Sequence, residues 1–318
     1  MVRIKDVAVH AGVSTATVSR VLNGIPVRDD LLEKVNVSIK ELSYTPDRTA
    51  RSLRRRSSDV LALIIPDVEN PFFTSLARGV EDVARAAGYS VVLCNTDDLP
   101  EQEVTYLRIA RDENMAGVII APARADVQLD SFVAAGRGVV VLDRGVDAAV
   151  DQVKFDNVGL GRRATETLLE RGLRRIACIT GPENVETASD RAAGWREALS
   201  SAGIPVDESL LRYATFRVNG GLNATRELFA GDVVPQAIVA TNNLVAVGAL
   251  RALLELHLDQ IVRVSVIGDL PFSTWRAESV DLIPLNSRRM GEAAARMLLE
   301  QIQGESTPPR MVVQRTDS

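Results

Sequence analysis

The chain has 318 residues, of which 46% are hydrophobic and 25% are charged, and such a composition is typical of a globular protein. At roughly 100–200 residues per domain, this length predicts about two compact units with room for a small third one. No hydrophobic run approaches the roughly 20 residues of a membrane helix, and the first residues lack the hydrophobic region of a secretory signal. Two cysteines are too few for a disulfide framework. The sequence therefore predicts a cytoplasmic protein and excludes membrane and disulfide-rich secreted classes.

The two parts of the chain carry opposite net charges. Residues 1–58 contain 11 Arg and Lys against 6 Asp and Glu, a balance of +5, whereas residues 59–318 contain 26 against 36, a balance of −10. A small basic segment on a larger acidic body predicts that the segment alone binds a polyanion such as a nucleic acid. The alternative is a basic segment that only keeps itself in solution.

Three short helices are predicted in the basic segment. Hydrophobic residues at helical spacing begin at Ile4 and end at Gly12, a natural helix terminator. Ser14 stands at the N-cap of a second predicted helix, Thr15–Leu22, because its hydroxyl can accept from the free amides of the next turn. A third helix is predicted over about residues 30–42. Two helices joined by a short turn form the DNA-binding helix-turn-helix motif, although a three-helix scaffold without a DNA role has the same pattern.

The second predicted helix carries the side chains expected to face DNA. In a helix-turn-helix protein the N-terminal residues of this helix meet base edges in the major groove, and here they are Thr15, Ala16 and, one turn later, Arg20. The guanidinium fork of Arg20 can pair with a guanine edge. The small polar residues suited to phosphate oxygens are Thr17, Ser19 and Asn23.

Three runs in this segment carry a family resemblance: Ile4-Lys5-Asp6-Val7-Ala8, Ala11-Gly12-Val13-Ser14 and Thr17-Val18-Ser19-Arg20-Val21-Leu22-Asn23-Gly24. Together they resemble the DNA-binding headpiece of the LacI/GalR family of bacterial transcription regulators. The resemblance implies that Thr15, Ala16 and Arg20 occupy base-reading positions. After a loop one residue shorter than usual, Arg28 replaces the family's Ser or Thr helix cap, so Asp29 or Asp30 is expected to cap the third helix instead.

The segment over residues 46–56 is rich in arginine. A basic run after a proline is ordinarily a solvated linker, and this interpretation stays open. The tetrad Ala50-Arg51-Ser52-Leu53, however, resembles the family's hinge helix, which implies that Ala50, Arg51 and Leu53 contact DNA and that Leu53 wedges into the minor groove. Asp47 replaces the family's usual Asn. The predicted organisation is a helix-turn-helix headpiece at residues 1–45, a hinge at 46–58 and an effector-binding and dimerisation domain at 59–318.

From residue 59 onward, short continuous hydrophobic runs alternate with amphipathic helical patterns. The runs predicted as strands are Val60–Ile65, 91–94, 118–121, 139–142, Ile176–Thr180, 238–240 and 264–267. Strands that are hydrophobic on both faces predict parallel sheets covered by helices on both sides. The predicted fold class is therefore a small all-α headpiece plus an α/β body of two doubly wound parallel-sheet lobes. The lobes are expected at about residues 59–157 with 285–304, and 158–284 with 305–318.

Polar and aromatic residues follow the predicted strands, at the edge where doubly wound sheets bind ligands. Carboxylates, amides and an arginine beside aromatic faces suit a polyhydroxylated ligand. The same residue types are ordinary turn formers and helix caps, so the pattern alone leaves both interpretations open. The residues are Asp67, Asn70, Phe72, Phe73, Asp143, Arg144, Arg191 and Asn242.

The body repeats further family motifs: Asp67-Val68-Glu69-Asn70-Pro71-Phe72-Phe73, Asp143-Arg144, Asp156-Asn157, and Thr187 with Arg191. They resemble the family's effector-binding core, which is similar to periplasmic sugar-binding proteins. The resemblance implies that a sugar or sugar derivative contacts Asp67, Phe72, Phe73, Asp143, Arg144, Thr187, Arg191, Phe216 and Asn242. Arg144, Arg191 and Arg217 leave room for an anionic effector such as a sugar acid or sugar phosphate.

The body departs from the family pattern at several positions, among them residues 282–287, which replace the usual Thr-Thr and Gln-Pro signature. Asn243 stands where Asp is common, and Leu270, followed by Pro271, stands where many relatives have a carboxylate that holds sugar hydroxyls. Because such groups decide between ligands, the effector is expected to differ from those of the best-known sugar regulators.

Trp195, one helical turn after Arg191, is expected in the core rather than in the cleft.

No catalytic residue, metal site or cofactor is predicted. The two histidines, His10 and His257, are far apart in the sequence, and no P-loop or nucleophile elbow is present. Residues 159–164 match a loose Gly-x-Gly-x-x-Ala dinucleotide pattern, but no acidic residue ends the next strand. Close packing of a helix start against its neighbour explains these glycines better.

The sequence therefore predicts a transcription regulator rather than an enzyme. We expect a repressor that binds a pseudo-palindromic operator in double-stranded DNA as a homodimer and responds to a small effector in the cleft between its lobes. The alternative is a solute-binding protein of sugar uptake, but the basic headpiece and the lack of an export signal oppose it. A sugar-modifying enzyme with a DNA-binding appendage would need an acid–base pair, and no candidate pair is evident.

Overall fold

The computed structural model of the chain describes residues 2–22, 25–44, 58–270, 278–305 and 308–315. By its internal contacts the chain divides into two units, Met1–Ser58 and Asp59–Ser318, and each is described by itself. Among the described residues, no helix combines the length and hydrophobicity that crossing a membrane requires.

The first unit is built from three helices around a small hydrophobic core. The helices are α1 (Ile4–Ala11), α2 (Thr15–Leu22) and α3 (Asp29–Glu41). Val7, Val18 and Val35 contribute one fully buried side chain from each helix. The three predicted helices are confirmed to within one residue, because hydrophobic residues at helical spacing require this packing.

The ends of these helices follow the sequence signals in two places and depart from them in a third. Gly12 adopts a left-handed conformation with φ 65° at the end of α1, and the Ser14 hydroxyl accepts a 3.1 Å hydrogen bond from the Thr17 amide at the start of α2. The expectation that Asp29 or Asp30 caps α3 is wrong. Arg28 occupies the cap position without a side-chain cap, and both aspartates lie inside the first turn, where their charges favour the helix dipole.

The second unit contains two parallel sheets. The first sheet has the strand order β11-β5-β4-β3-β1-β2 and the second has the order β10-β9-β8-β6-β7. The strands are β1 (Val60–Ile65), β2 (Ser90–Asn95), β3 (Gly117–Ile120), β4 (Gly138–Leu142), β5 (Asp151–Phe155), β6 (Ile176–Thr180), β7 (Leu211–Tyr213), β8 (Ala237–Ala240), β9 (Arg263–Ile267), β10 (Val280–Ile283) and β11 (Met311–Gln314). The two doubly wound lobes predicted from the alternating pattern are therefore confirmed.

Helices connect the strands and cover the faces of both sheets. They are α4 (Pro71–Ala86), α5 (Pro100–Asp112), α6 (Asp130–Ala134), α7 (Asn157–Glu170), α8 (Glu186–Ser201), α9 (Val218–Ala230), α10 (Asn243–Glu255) and α11 (Ser287–Ile302). The chain passes from the first sheet to the second after β5 and returns after β10, because α11 packs on α4 and on β3, β4 and β5. These two crossings place the strand ends of both lobes around one cleft.

The prediction that residues 305–318 belong to the second lobe is wrong for the strand that the structure describes in this range. Strand β11 pairs in parallel with β5 of the first sheet, with Met311 opposite Gln152. Arg310 anchors this edge, since its amide donates to Asp151 Oδ1 at 2.8 Å and its guanidinium to Asp151 Oδ2 at 2.8 Å. A four-residue strand at a sheet edge carries no local signal of its partner, so only the tertiary contact assigns it.

Glycines allow helices α7 and α8 to cross closely in the second lobe. A Cβ atom on Gly161 would lie 2.0 Å from the Arg191 carbonyl oxygen, and one on Gly194 would lie 2.0 Å from the Val158 carbonyl oxygen. The packing explanation of the Gly-x-Gly-x-x-Ala pattern is thus confirmed for Gly161.

We expect Gly194→Ala to lower the free energy of unfolding by about 1–3 kcal/mol, because the added methyl group forces the two helices apart. The matched control is Gly231→Ala, where the nearest atom to a new Cβ lies 3.6 Å away; its effect is expected within about 0.5 kcal/mol. Urea unfolding of both variants measures the difference, and equal stability of the two would contradict the close crossing.

Candidate functional site

The first candidate site is the exposed face of α2. Thr15, Ala16 and Arg20 are exposed, whereas Val18 on the same helix is fully buried. The helix therefore presents the three predicted base-reading residues away from the core. An exposed guanidinium between small side chains is suited to reach a base edge in the major groove.

The predicted phosphate-binding residues are placed only in part. Thr17 and Ser19 are half-buried, and the Thr17 hydroxyl lies 3.0 Å from the Ser14 hydroxyl, so Thr17 also supports the N-cap. Asn23 lies outside the described residues, as do the hinge residues Asp47, Ala50, Arg51 and Leu53.

The second candidate site is a cavity of about 210 Å³ at the carboxyl ends of the strands of both sheets. All nine predicted effector residues line it: Asp67, Phe72, Phe73, Asp143, Arg144, Thr187, Arg191, Phe216 and Asn242. The structure thus brings together side chains that are up to 175 positions apart in the sequence, counted from Asp67 to Asn242. Their contact with an effector stays a prediction.

The aromatic wall of the cavity is fixed by a helix cap. The Phe72 amide donates a 3.0 Å hydrogen bond to Asn70 Oδ1, and Pro71 opens α4. The rings of Phe72 and Phe73 meet edge to face with centroids 4.9 Å apart. Asn70 is therefore a helix cap, which is one of the two interpretations left open by the sequence. As a cap it holds the two rings at the cavity.

Phe216 reaches the cavity because Gly181 leaves room for it. A Cβ atom on Gly181 would lie 2.3 Å from the Phe216 ring. The glycine after β6 is therefore required for the position of this aromatic side chain.

Asp143 is a buried carboxylate available to a ligand. It follows β4 with a left-handed φ of 63°, and within the part of the chain that the structure describes no group donates a hydrogen bond to its carboxylate. Burial raises the pKa of Asp143, and the positive charges of Arg191 and Arg144 oppose this rise. A cavity-lining acceptor without a donor among the described residues is suited to a ligand hydroxyl.

Arg191 connects three elements of the second lobe. Its Nε donates to Asn157 Oδ1 at 3.0 Å and its Nη1 to the Thr241 carbonyl oxygen at 2.6 Å. Burial lowers the pKa of the guanidinium, and the negative charges of Asp143 and Asp190 oppose this shift. Arg191 therefore fixes α8 against the start of α7 and the end of β8.

Asn242 caps a helix and also lines the cavity. Its Oδ1 accepts a 2.7 Å hydrogen bond from the Val245 amide and caps α10. Because the oxygen is used by the backbone, the amide NH₂ group is what Asn242 has left to donate to a ligand. Thr187, in the first turn of α8, is buried and also lines the cavity.

Each of the three cavity arginines has at least one partner within the protein, while Arg144 Nε has none among the described residues. Arg144 Nη1 lies 2.5 Å from Asp98 Oδ1, Arg191 is bonded as described, and Arg217 lies 3.0 Å from Asp67 Oδ1. The cavity is also lined by four aspartates, Asp67, Asp97, Asp98 and Asp143. This arrangement gives less support to an anionic ligand than the sequence suggested.

One part of the cavity wall is apolar, and the departing residue Leu270 does not belong to it. Leu270 packs half-buried against the hydrophobic core and is not a lining residue, while Pro271 lies outside the described residues. Ile267 and Leu285 line the cavity at the ends of β9 and β10.

Trp195 is fully buried and donates from Nε1 to the Ile176 carbonyl oxygen at 3.1 Å, so its predicted core position is confirmed.

Sequence reasoning missed Asp97 and Asp98 as lining residues. Both follow β2 with φ values of 53° and 59°, and both line the cavity. The signal was present, since they stand after the carboxyl end of a parallel strand as Asp67 and Asp143 do.

Comparison with known proteins matches both units to one family. Residues 3–47 match the profile of bacterial regulatory proteins of the lacI family, and residues 58–316 match the profile of periplasmic binding proteins and the sugar binding domain of the LacI family. The chain belongs to the LacI family. Family members are DNA-binding transcription regulators rather than enzymes, and the match at residues 3–47 decides against the solute-binding alternative.

Individual relatives cover nearly the whole chain. The ribose operon repressor of Halalkalibacterium halodurans is 35% identical over 99% of this chain and 97% of its own length. The solved complex of the transcriptional regulator CelR with cellobiose is 31% identical, with a TM-score of 0.72 over 100% of this chain and 98% of that one. The lac repressor dimer bound to operator and the anti-inducer ONPF shares the fold, with a TM-score of 0.84 and 24% identity over 99% of this chain and 96% of that one.

We expect Asp143→Asn to raise the free energy of unfolding of the effector-free protein near neutral pH. The folded-state pKa of Asp143 lies above the ordinary value of 3.8, so ionisation costs free energy that is absent below the unfolded-state pKa and fully present above the folded-state pKa. The difference in free energy of unfolding between Asp143→Asn and the wild-type protein should therefore grow as the pH rises towards and through the folded-state pKa of Asp143.

Urea unfolding between about pH 4 and about pH 8 measures this dependence. The control is Asp232→Asn at an exposed loop position, which should show no such trend. A loss of stability in Asp143→Asn near neutral pH would mean that the carboxylate is not short of donors.

Proposed function

We propose that this protein is a repressor in the bacterial cytoplasm that binds a pseudo-palindromic operator as a homodimer and is controlled by a neutral monosaccharide in the cavity, with ribose as the first candidate. The observation that carries the proposal is the cavity itself, where the unpaired acceptor Asp143 and the donor amide of Asn242 lie beside aromatic rings.

The size and charge of the cavity favour a small neutral ligand. About 210 Å³ is below the roughly 300–1,000 Å³ of sites for drug-sized ligands, which suits a single sugar ring. The cavity arginines are bonded to Asp98, to Asn157 and Thr241, and to Asp67. A relative 35% identical is named a ribose operon repressor, and this supports ribose among the neutral sugars.

The homodimer is supported by an exposed hydrophobic sheet edge. Strand β2 lies at one edge of the first sheet, and its residues Val92 and Leu93 are 42% and 40% exposed. Exposed hydrophobic edges favour pairing with another chain. Two headpieces held by such a dimer would match two half-sites of a pseudo-palindrome.

Control by an effector follows from the two-lobe cavity. Asp67 and Asp143 belong to the first lobe, whereas Arg191 and Asn242 belong to the second. A ligand that contacts both sets favours one angle between the lobes over others. Effector and operator are then linked by a coupling free energy, typically about 1–3 kcal/mol, which acts in both directions.

We expect Arg20→Ala to cost about 1–3 kcal/mol of operator affinity and to relax the base preference at one operator position. Arg28→Ala is the matched control, because Arg28 is an exposed arginine at the start of α3 and its removal changes the net charge equally. Binding to a library of operator variants measures the preference. An equal loss on every sequence, in both variants, would show that Arg20 contacts phosphate rather than a base.

We expect D-ribose to raise the thermal midpoint of the full chain by several degrees, since a ligand at about 100 times its dissociation constant adds roughly 2.7 kcal/mol. Asp143→Asn should reduce this shift because the amide lacks the carboxylate's full acceptor capacity. The same variant is expected to raise the midpoint without ligand, so weaker binding is separable from misfolding.

Other neutral sugars and nucleobases are measured beside ribose in the same experiment. A shift with another neutral monosaccharide would replace ribose but keep the site. A shift with nucleobases alone, or no shift with any compound, would overturn the proposed neutral-sugar effector.

A further inference from the structure

Arg217 crosses the mouth of the cavity to three carboxylates of the other lobe. It stands at the start of α9 in the second lobe, and its Nη1 lies 3.0 Å from Asp67 Oδ1 and 3.6 Å from Glu69 Oε2. Its Nη2 lies 3.2 Å from Asp97 Oδ1. We name this group of four side chains the carboxylate clasp.

The clasp extends from the interior to solvent. The Asp67 side chain is only 8% exposed, whereas those of Asp97 and Glu69 are 59% and 81% exposed. Arg217, Asp67 and Asp97 line the cavity. The clasp therefore lies where an entering ligand meets the protein.

Three carboxylates around one guanidinium leave the clasp with an excess of negative charge. Burial raises the pKa of Asp67, as do the charges of Glu69 and Asp97, while the Glu69 amide and Arg217 oppose the rise. Removal of one of the three carboxylates would bring the net charge of the clasp closer to zero.

We propose that Glu69 and Asp97 determine effector specificity by occupying Arg217 and thereby excluding anionic sugars from the cavity. This inference rests on the proposed function, because it concerns the charge of the ligand that the same cavity takes. A sugar acid or phosphate must displace an internal carboxylate from Arg217 and then faces the repulsion of those that remain. Like charges brought together in this way reduce affinity for the wrong partner.

The other cavity arginines are more deeply buried than Arg217, although Arg144 Nε has no hydrogen-bond partner among the described residues. Arg144 is held by Asp98 and by the Pro122 carbonyl oxygen at 3.2 Å. Arg191 is held by Asn157 and Thr241 deep in the second lobe. Arg217 is the half-exposed one of the three, and Glu69 and Asp97 are its solvent-facing partners.

The test is the double variant Glu69→Gln with Asp97→Asn, which keeps side-chain size and leaves Asp67 in place. Calorimetric titrations use D-ribose, D-ribonate, D-ribose 5-phosphate and inorganic phosphate with the full chain. We expect the wild-type protein to show no measurable binding of the anions and the double variant to bind at least one of them. The ratio of anion to ribose affinity should rise at least tenfold and should fall again with added salt.

The matched control is Asp112→Asn with Glu113→Gln, which changes the net charge equally. Both residues are exposed at the end of α5, at the edge of the first sheet opposite to the cavity, since β3 begins just after them. This control should keep the wild-type ratio.

Three outcomes would overturn the inference: anion binding by the wild-type protein, no anion binding by the double variant, or an equal gain in the control. The ribose arm reports separately on the proposed function. If ribose binds to none of the proteins but the double variant gains anion binding, the clasp stands and the proposed sugar fails.

Discussion

The buried guanidinium of Arg191 is the interaction on which the second lobe's side of the cavity depends. It joins the start of α7, the end of β8 and α8 through Asn157 and Thr241. Its charge also lowers the cost of keeping Asp143 ionised in the first lobe. A buried ion without partners is very costly, so the two lobes supply opposite charges to one another across the cleft. The free acceptor at Asp143 exists because Arg191 is held where it is.

Three of the polar residues that follow strands serve the fold before any ligand arrives. Asn70 and Asn242 cap α4 and α10, and Asp156 caps α7 by accepting from the Gly159 amide at 2.9 Å. These strand-end residues therefore act as helix caps. For this reason residue type alone could not distinguish a helix cap from a ligand-binding residue in the sequence. What distinguishes Asp143 is the lack of a donor among the described residues, and only the tertiary structure shows that.

The sequence predicts those helices and strands whose bounds depend on local hydrophobic patterns. Hydrophobic periodicity gave β1 and β6 at their observed bounds and α1 to α3 within one residue, because burial fixes which residues face the core. The missing cap at Arg28 and the partner of β11 were not predictable, since each depends on contacts beyond the local sequence. The carboxylate clasp joins Arg217 to Asp97, 120 positions away, and no spacing rule relates such a pair.

Each ion pair between the lobes is individually weak. Besides the clasp, Glu186 of the second lobe contacts the Gly145 amide and lies 2.5 Å from Lys154 Nζ in the first. Most of these side chains are partly exposed, and exposed pairs contribute only about 0–1 kcal/mol each. A ligand at about 100 times its dissociation constant contributes roughly 2.7 kcal/mol, which is comparable with these pairs taken together. On the function proposed above, the lobe angle therefore reflects both the ligand in the cavity and the charges at its mouth.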